Sequence, residues 1–178
     1  MLRSPTVLED VVKTICTTNC SWSATIRMAT RIVGDLGAAA PDGKRAFPGP
    51  AAMAAAGEAF YRDQARAGYR GRYLMQLSAE IAGGGLDLER LRDPALPDGE
   101  VSQRLLALPG VGPYAAAHVM LTSLGRYRQL IFDSWTRPKY ARLNGRKASD
   151  RGIERRFGKF GEYAGLAFWL FLTRDWVD

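Results

Sequence analysis

The chain has 178 residues, 47% of them apolar and 10% aromatic, which is enough to bury a core in one domain or two small lobes and excludes a disordered chain. Its 25 Lys and Arg against 18 Asp and Glu leave a net charge of +7, favouring a polyanionic partner over an acidic one without proving either. Only two cysteines occur, Cys16 and Cys20, too few for a disulfide scaffold or a four-thiolate cluster, and no run approaches the roughly eighteen apolar residues of a membrane span. The start, Met1-Leu2-Arg3-Ser4-Pro5, has no apolar signal region, so a cytoplasmic protein in a reducing setting is expected.

The periodicity is helical almost throughout. Val7, Leu8, Val11, Val12, Ile15 and Cys16 form the stripe of a first helix, with Ser4 expected as its N-cap and Pro5 at its first position. Ala24, Met28, Ile32 and Leu36 mark a second helix ending at Gly37, and a Pro- and Gly-rich loop over 38–50 leads to an Ala-rich third helix near 51–56. A short helix runs through Phe60 and Ala65. After Gly68, Tyr73, Leu74, Leu77 and Ile81 define a longer one that stops in Gly83-Gly84-Gly85, and Leu86, Leu88 and Leu91 make a helical turn. Helices near 100–107 and 114–124 flank Leu108-Pro109-Gly110-Val111-Gly112-Pro113, and three more lie near 135–143, 150–157 and 161–174. No pair of alternating β-branched runs is present; the fold is expected to be all-α, as two helical lobes around a cleft.

The segment between 107 and 114 has a definite physical meaning. Two glycines permit a tight turn and close backbone approach, and the helix that follows offers unpaired amides at the positive end of its dipole, so the turn can hold a phosphate without any side chain. An ordinary helix–turn–helix connection also carries glycines, and this fragment alone does not separate the two.

The wider pattern does. Leu105-Leu106-Ala107-Leu108-Pro109-Gly110-Val111-Gly112-Pro113-Tyr114-Ala115-Ala116 is followed, nineteen residues after Tyr114, by Asp133 in Ile131-Phe132-Asp133-Ser134-Trp135. Together with Thr14-Ile15-Cys16-Thr17-Thr18-Asn19, Gly68-Tyr69-Arg70-Gly71-Arg72-Tyr73 and Gly161-Glu162-Tyr163-Ala164-Gly165-Leu166-Ala167, it resembles the helix-hairpin-helix DNA glycosylases, in particular their endonuclease III-like, oxidised-guanine and alkylated-base branches. The resemblance runs in order along nearly the whole chain. It implies an all-α, two-lobed helix-hairpin-helix glycosylase fold with a central cleft, with one lobe over 20–125 containing the hairpin 100–124, and a second built from 1–19 plus 126–178. It also implies DNA repair by base excision, on double-stranded DNA bearing a damaged or mismatched base, by a monomer.

Cleaving an N-glycosidic bond develops oxocarbenium-like charge on the sugar, so a nearby carboxylate can stabilise it and orient or deprotonate a water. The resemblance gives that role to Asp133; by composition alone Asp133 would simply cap the helix that follows, and it is able to do both. Tyr114 stands where family members that also nick the backbone carry a Lys that attacks the sugar as an amine. A phenol cannot form the imine, so a monofunctional hydrolase is expected, with Tyr114 at the rim of the catalytic pocket. Extruding a base leaves a gap, and the resemblance implies that Asn19 fills it, Tyr69 wedges the step and Arg70 bonds the estranged base. Capping by Asn19, and a simple helix start at Tyr69-Arg70, are the alternatives.

An extruded base needs rings to stack on, and Trp22, His118 and Phe168 are expected to line its pocket. Trp135, Trp169, Phe171 and Trp176 are assigned to the core. Phosphate contacts are expected from Gly110, Val111 and Gly112 and from the basic run Arg126, Arg128, Arg137, Lys139, Arg142, Arg146 and Lys147, unless these form only a solvated face. The carbonyls of Leu106, Leu108 and Val111 are implied to coordinate a structural sodium or potassium ion. No iron–sulfur cluster and no catalytic metal are implied. Relatives with these segments usually carry a further N-terminal β-rich domain, and one branch a four-cysteine loop after the last helix; neither is legible here. The competing functions are a non-catalytic helix-hairpin-helix module that grips duplex DNA without extruding a base, and a helical protein scaffold.

Overall fold

The computed structural model describes residues 3–176, and these form an all-α protein whose helices appear where the apolar periodicity places them. Helix α1 (Val7–Thr17) begins two residues later than the Ser4-Pro5 signal suggests. The cap is Thr6, which is extended at φ −119° and ψ 151° and accepts the Glu9 amide at 3.2 Å through its hydroxyl. The first amide of α1, at Val7, donates to Glu89 Oε1 at 2.7 Å, so the start of the chain is fastened to the 3-10 turn Glu89–Arg92. Helix α2 (Trp22–Leu36) is capped by Ser21 and ends at Gly37 as expected.

Helices α3 (Pro50–Ala55) and α4 (Gly57–Ala59) follow the loop, and α4 continues directly into a π-helical turn, Phe60–Gln64. Helix α5 (Arg70–Ala82) leads to the hairpin pair α6 (Asp98–Leu106) and α7 (Pro113–Thr122). The chain closes with α8 (Thr136–Asn144), α9 (Asp150–Gly158) and α10 (Ala164–Thr173), then a 3-10 turn over Arg174–Trp176. Among the described residues none of the helices is long and apolar enough to cross a membrane.

Two cores form. The larger gathers the buried stripes of α1, α2, α5, α6 and α7, with Val7, Val11, Ile15, Ile32, Leu74, Leu77, Leu105 and Val119 all but inaccessible. The smaller joins Tyr140, Ile153, Phe157, Phe168 and Leu172 from α8, α9 and α10. Residues 7–17 therefore belong with the hairpin lobe and not, as expected, with 126–178. The apolar stripe of α1, Val7, Leu8, Val11, Val12, Ile15 and Cys16, is buried in the core it shares with α2, α5 and α7.

The two cores meet at a seam of Ala117, Leu121 and Ile131, packed by Tyr114, Tyr127, Leu166 and Trp169. Gly165 is what lets the seam close. Its amide donates to the Tyr127 carbonyl at 2.7 Å, and a Cβ there would lie 2.1 Å from the Gln129 carbonyl oxygen. The first turn of α10 thus rests directly on the backbone of the segment joining the lobes.

Candidate active site

The cleft has a volume of about 1640 Å³ and draws its walls from both lobes. Thr17, Thr18, Asn19 and Cys20 come from the end of α1, Trp22 and Thr25 from α2, and Tyr69 and Tyr73 from the start of α5. The hairpin supplies Gly110 through Ala115 together with His118, and the smaller lobe supplies Asp133, Ser134, Trp135, Trp169 and Trp176. Among the described residues, Asp133 is the only formally charged one on this lining.

At the hairpin, Leu108 accepts the Val111 amide at 3.2 Å, closing a tight turn. Gly110 sits at φ +78°, and a Cβ would fall 2.8 Å from the Tyr73 ring, so both backbone and packing demand glycine. Gly112 is different: it is extended, it caps α7, and its missing Cβ would point into open space. Pro113 has no N–H, and the amides of Gly112, Tyr114 and Ala115 find no acceptor among the described residues. Unpaired donors, a helix N-terminus and an unobstructed approach are what an anionic oxygen requires. Of the three carbonyls considered for a cation, those of Leu106 and Val111 accept no backbone hydrogen bond and that of Leu108 keeps one lone pair, so the donor set fits a hard monovalent ion. Among the described residues no cluster of three His, Cys, Asp or Glu fits a metal.

Asp133 caps α8: its Oδ1 accepts the Trp135 amide at 2.8 Å and the Thr136 amide at 2.6 Å, while its own amide donates to Thr136 Oγ1 at 2.8 Å. One carboxylate oxygen is fixed by the helix, and Oδ2 accepts no hydrogen bond among the described residues. The cap orients the side chain while leaving half of it available, so the structural and chemical roles considered for Asp133 are compatible on geometry. Across the cleft, burial pushes the Tyr114 phenol above its ordinary pKa, opposed by a hydrogen bond with Thr17, and burial pushes His118 below its ordinary value, partly offset by Asp133. Both side chains are thereby held neutral. Among the described residues His118 Nδ1 has no hydrogen-bond partner, and its ring lies 5.7 Å from Tyr114 and 5.6 Å, edge-on, from Trp169.

On the opposite rim, Asn19 is held at φ +46° and donates to the Tyr69 hydroxyl at 3.1 Å, so these two exposed side chains form one ledge. Asn19 does not cap α2; Ser21 does. Arg70 departs from its expected role. It is 7% exposed, bonded to the Thr18 carbonyl and hydroxyl and to the Ala67 carbonyl, with its guanidinium 4.6 Å from the Tyr69 ring. Its donors are used within the protein, bracing the ledge from behind rather than reaching a base.

Lys139 is also displaced from expectation. It is 7% exposed, and its Nζ lies 2.6 and 2.7 Å from the Asp175 carboxylate oxygens, so it is not a solvent-facing phosphate contact. Phe168, expected in the base pocket, is 1% exposed in the smaller core and does not line the cleft. Its neighbour Trp169 does, because one residue along a helix turns the side chain by about 100°. Trp135 and Trp176, assigned to the core by composition, join Trp169 on the cleft wall. Phe171 does pack where expected.

The basic run divides. Arg126 is tied to Asp98 and to the carbonyls of Leu96 and Asp93, a structural staple. Arg137 forms a two-pronged pair with Asp150 at 2.9 and 2.8 Å and donates to the Asp133 carbonyl at 3.2 Å. Arg146 and Lys147 line a smaller cavity of about 380 Å³ with Arg156. Both cysteines are free thiols, and burial pushes Cys16 up to about 12, far from reactivity.

Comparison with known proteins draws on structure. A scan against protein-family models and a search of the curated proteins each find no match. Among solved structures, an 8-oxoguanine glycosylase/lyase of Clostridium acetobutylicum, in complex with double-stranded DNA, matches 99% of this chain at a TM-score of 0.80 and 26% identity. A 3-methyladenine DNA glycosylase from Archaeoglobus fulgidus matches 98% of it at 0.75 and 29% identity. A Schizosaccharomyces pombe 3-methyladenine DNA glycosylase in complex with abasic DNA matches 97% at 0.73 and 16% identity, a likeness of fold alone. The chain spans 62% and 60% of the first two proteins and 82% of the third. With the hairpin, the cleft and the aspartate in the order that the resemblance implies, the chain shares the fold of the helix-hairpin-helix DNA glycosylases among its structural neighbours.

Proposed function

We propose that the protein hydrolyses the N-glycosidic bond of a damaged or mismatched base extruded from duplex DNA, leaving an abasic site and an intact strand. The observation that carries this reading is Asp133: it lines the cleft with one oxygen fixed by the first amides of α8 and the other unengaged. A carboxylate so held stabilises positive charge growing on a deoxyribose and orients a water without needing to move. The hairpin amides at Gly112, Tyr114 and Ala115 suit a phosphate of the same strand, and the Asn19–Tyr69 ledge suits the space left by the extruded base. A sodium or potassium ion on the carbonyls of Leu106, Leu108 and Val111 would stiffen the turn and take no part in the chemistry.

Hydrolysis without strand cleavage is supported from two sides. Tyr114 offers no amine, and the one lysine near Asp133 in sequence, Lys139, is buried against Asp175 with its charge answered there. Among the described residues no Lys or Arg lines the cleft. The test is to incubate the full chain with duplexes each carrying one modified or mismatched base and to identify any free base by chromatography. Release of a base from at least one duplex, abolished in Asp133→Asn, is the expected result. Tight binding to every duplex with no base released from any would leave a DNA-gripping module without chemistry.

A further inference from the structure

Away from the cleft, we propose that the cavity where α8 turns into α9 is a second phosphate site, built separately from the hairpin, for a phosphate of the DNA backbone or one free in solution. It deepens the reading above where the phosphate is DNA's and stands without that reading where the phosphate is free. The cavity, of about 380 Å³, is lined by Arg146 and Lys147 from the loop joining the two helices, by Arg156 from α9, and by Tyr140, Asn144 and Ser149. Three cations thus surround one space. Among the described residues no carboxylate lines it and none of the three pairs with one, whereas Arg92, Arg104, Arg126 and Arg137 each have an acid partner. Asp150, beside Ser149 in the chain, is turned to Arg137 with its two oxygens engaged at 2.9 and 2.8 Å. Like charges gathered in this way repel one another, and an anion between them removes the repulsion.

One of the three is fixed in advance. Arg156 Nη1 donates to the Tyr140 hydroxyl at 3.0 Å and to Asn144 Oδ1, and its guanidinium lies 4.9 Å from the Phe171 ring and 5.6 and 5.7 Å from those of Phe157 and Tyr140. Tyr140 and Phe157 belong to the smaller core, so the guanidinium is held before any ligand arrives. Its Nε and Nη2 find no acceptor among the described residues, and a planar fork with N–H groups to spare matches phosphate oxygens. Arg146 and Lys147 follow Gly145, which is left-handed at φ +76°, and bring charge to the other side of the space.

The cavity also stands in a set relation to Asp133. Helix α8 has nine residues, about 13 Å at 1.5 Å each, with Asp133 at its head and Asn144 at its tail. Arg137 donates to the Asp133 carbonyl at 3.2 Å and grips Asp150 at the start of α9, which binds the two places into one frame. At a rise of about 3.4 Å per nucleotide, a backbone phosphate in the cavity lies within about four nucleotides of the extruded one. It anchors the strand there without touching the reacting sugar.

The experiment compares the full chain with Arg146→Gln/Lys147→Gln and with a control, Arg151→Gln/Arg155→Gln, which removes the same charge from exposed positions of α9 outside the cavity. The first arm titrates inorganic phosphate at constant ionic strength and follows backbone amides by NMR. Saturable shifts confined to residues 144–156, lost in the cavity variant and kept in the control, are expected. The second arm measures binding of an undamaged duplex, and the cavity variant is expected to lower the salt slope by about 0.9 for each contact removed, the control by less. Replacing single phosphates by neutral methylphosphonates is expected to find one position that weakens the parent severalfold and the cavity variant not at all. Phosphate shifts alone assign the site to a free phosphate, the duplex effects alone to the backbone, and either upholds it. Absence of both, or equal effects in the cavity variant and the control, overturns it. Neither arm requires base release, so failure of the hydrolytic reading is told apart by the assay for free base.

Discussion

The two walls of the cleft are built on opposite principles. The hairpin wall presents backbone: amides of Gly112, Tyr114 and Ala115 at the head of α7, exposed because a glycine keeps the approach clear and a proline removes one donor. The wall of the smaller lobe presents side chains: a carboxylate pinned by the first turn of α8, and three indoles from a loop, a helix and a C-terminal turn. Backbone recognises what every nucleotide shares, whereas side chains tell one base from another. The seam beside Gly165 packs the two lobes against each other.

That contrast can be broken first on the side-chain wall. Asp133→Asn retains an oxygen to accept the Trp135 and Thr136 amides and loses only charge, so base release in single turnover is expected to fall by about a hundredfold to ten-thousandfold while the melting temperature holds. An equal fall in melting temperature would reduce Asp133 to a cap. Next comes the seam. Gly165→Ala places a methyl 2.1 Å from the Gln129 carbonyl oxygen, and denaturant unfolding is expected to show a loss of about 1–3 kcal/mol or more, with little change if α10 can shift freely.

The backbone wall predicts an effect of salt. Binding to undamaged duplex should weaken by about 0.9 log unit per phosphate contact for each tenfold rise in salt, and Lys139→Met should leave that slope unchanged, because its ammonium is already paired with Asp175. Arg146→Ala is the informative counterpart, since a shallower slope would place the smaller basic cavity on the DNA path. The smallest effect concerns His118. Burial holds its folded pKa below its unfolded value, so the unfolded chain binds the extra proton first. The stability contributed by the neutral ring is present above about pH 6.5 and is lost as pH falls through and below that value. Melting curves at pH 7.5 and 5.5 should converge in His118→Phe relative to the parent; an unchanged gap would mean that the proton goes elsewhere.

Much of the hairpin wall was legible in the sequence because its determinants are local. Gly110 and Gly112 stand between helical stripes, and Pro113 marks a helix start without any knowledge of the rest of the fold. The helices were legible for the same reason, their stripes being periodic. What escaped was set at long range. Arg70 finds its acceptor on Thr18 and Lys139 its carboxylate on Asp175, partners 52 and 36 residues away, so both looked like free cations. Helix α10 runs Ala-Gly-Leu-Ala-Phe-Trp-Leu-Phe-Leu-Thr, with no polar face to give it a phase, and nothing in that run says that Trp169 rather than Phe168 turns to the cleft. The misplacement of α1 has a similar origin: a stripe announces that it is buried, not against which partner.

The most direct test of the central claim follows one duplex through one reaction, read on a denaturing gel with and without alkali, with a parallel sample containing borohydride. The account predicts an intact strand until alkali is added, a break at the modified residue afterwards, and no protein–DNA adduct. A break before alkali, or a protein trapped on DNA by borohydride, would mean that an amine does the work here and would contradict the role given to Asp133 and Tyr114.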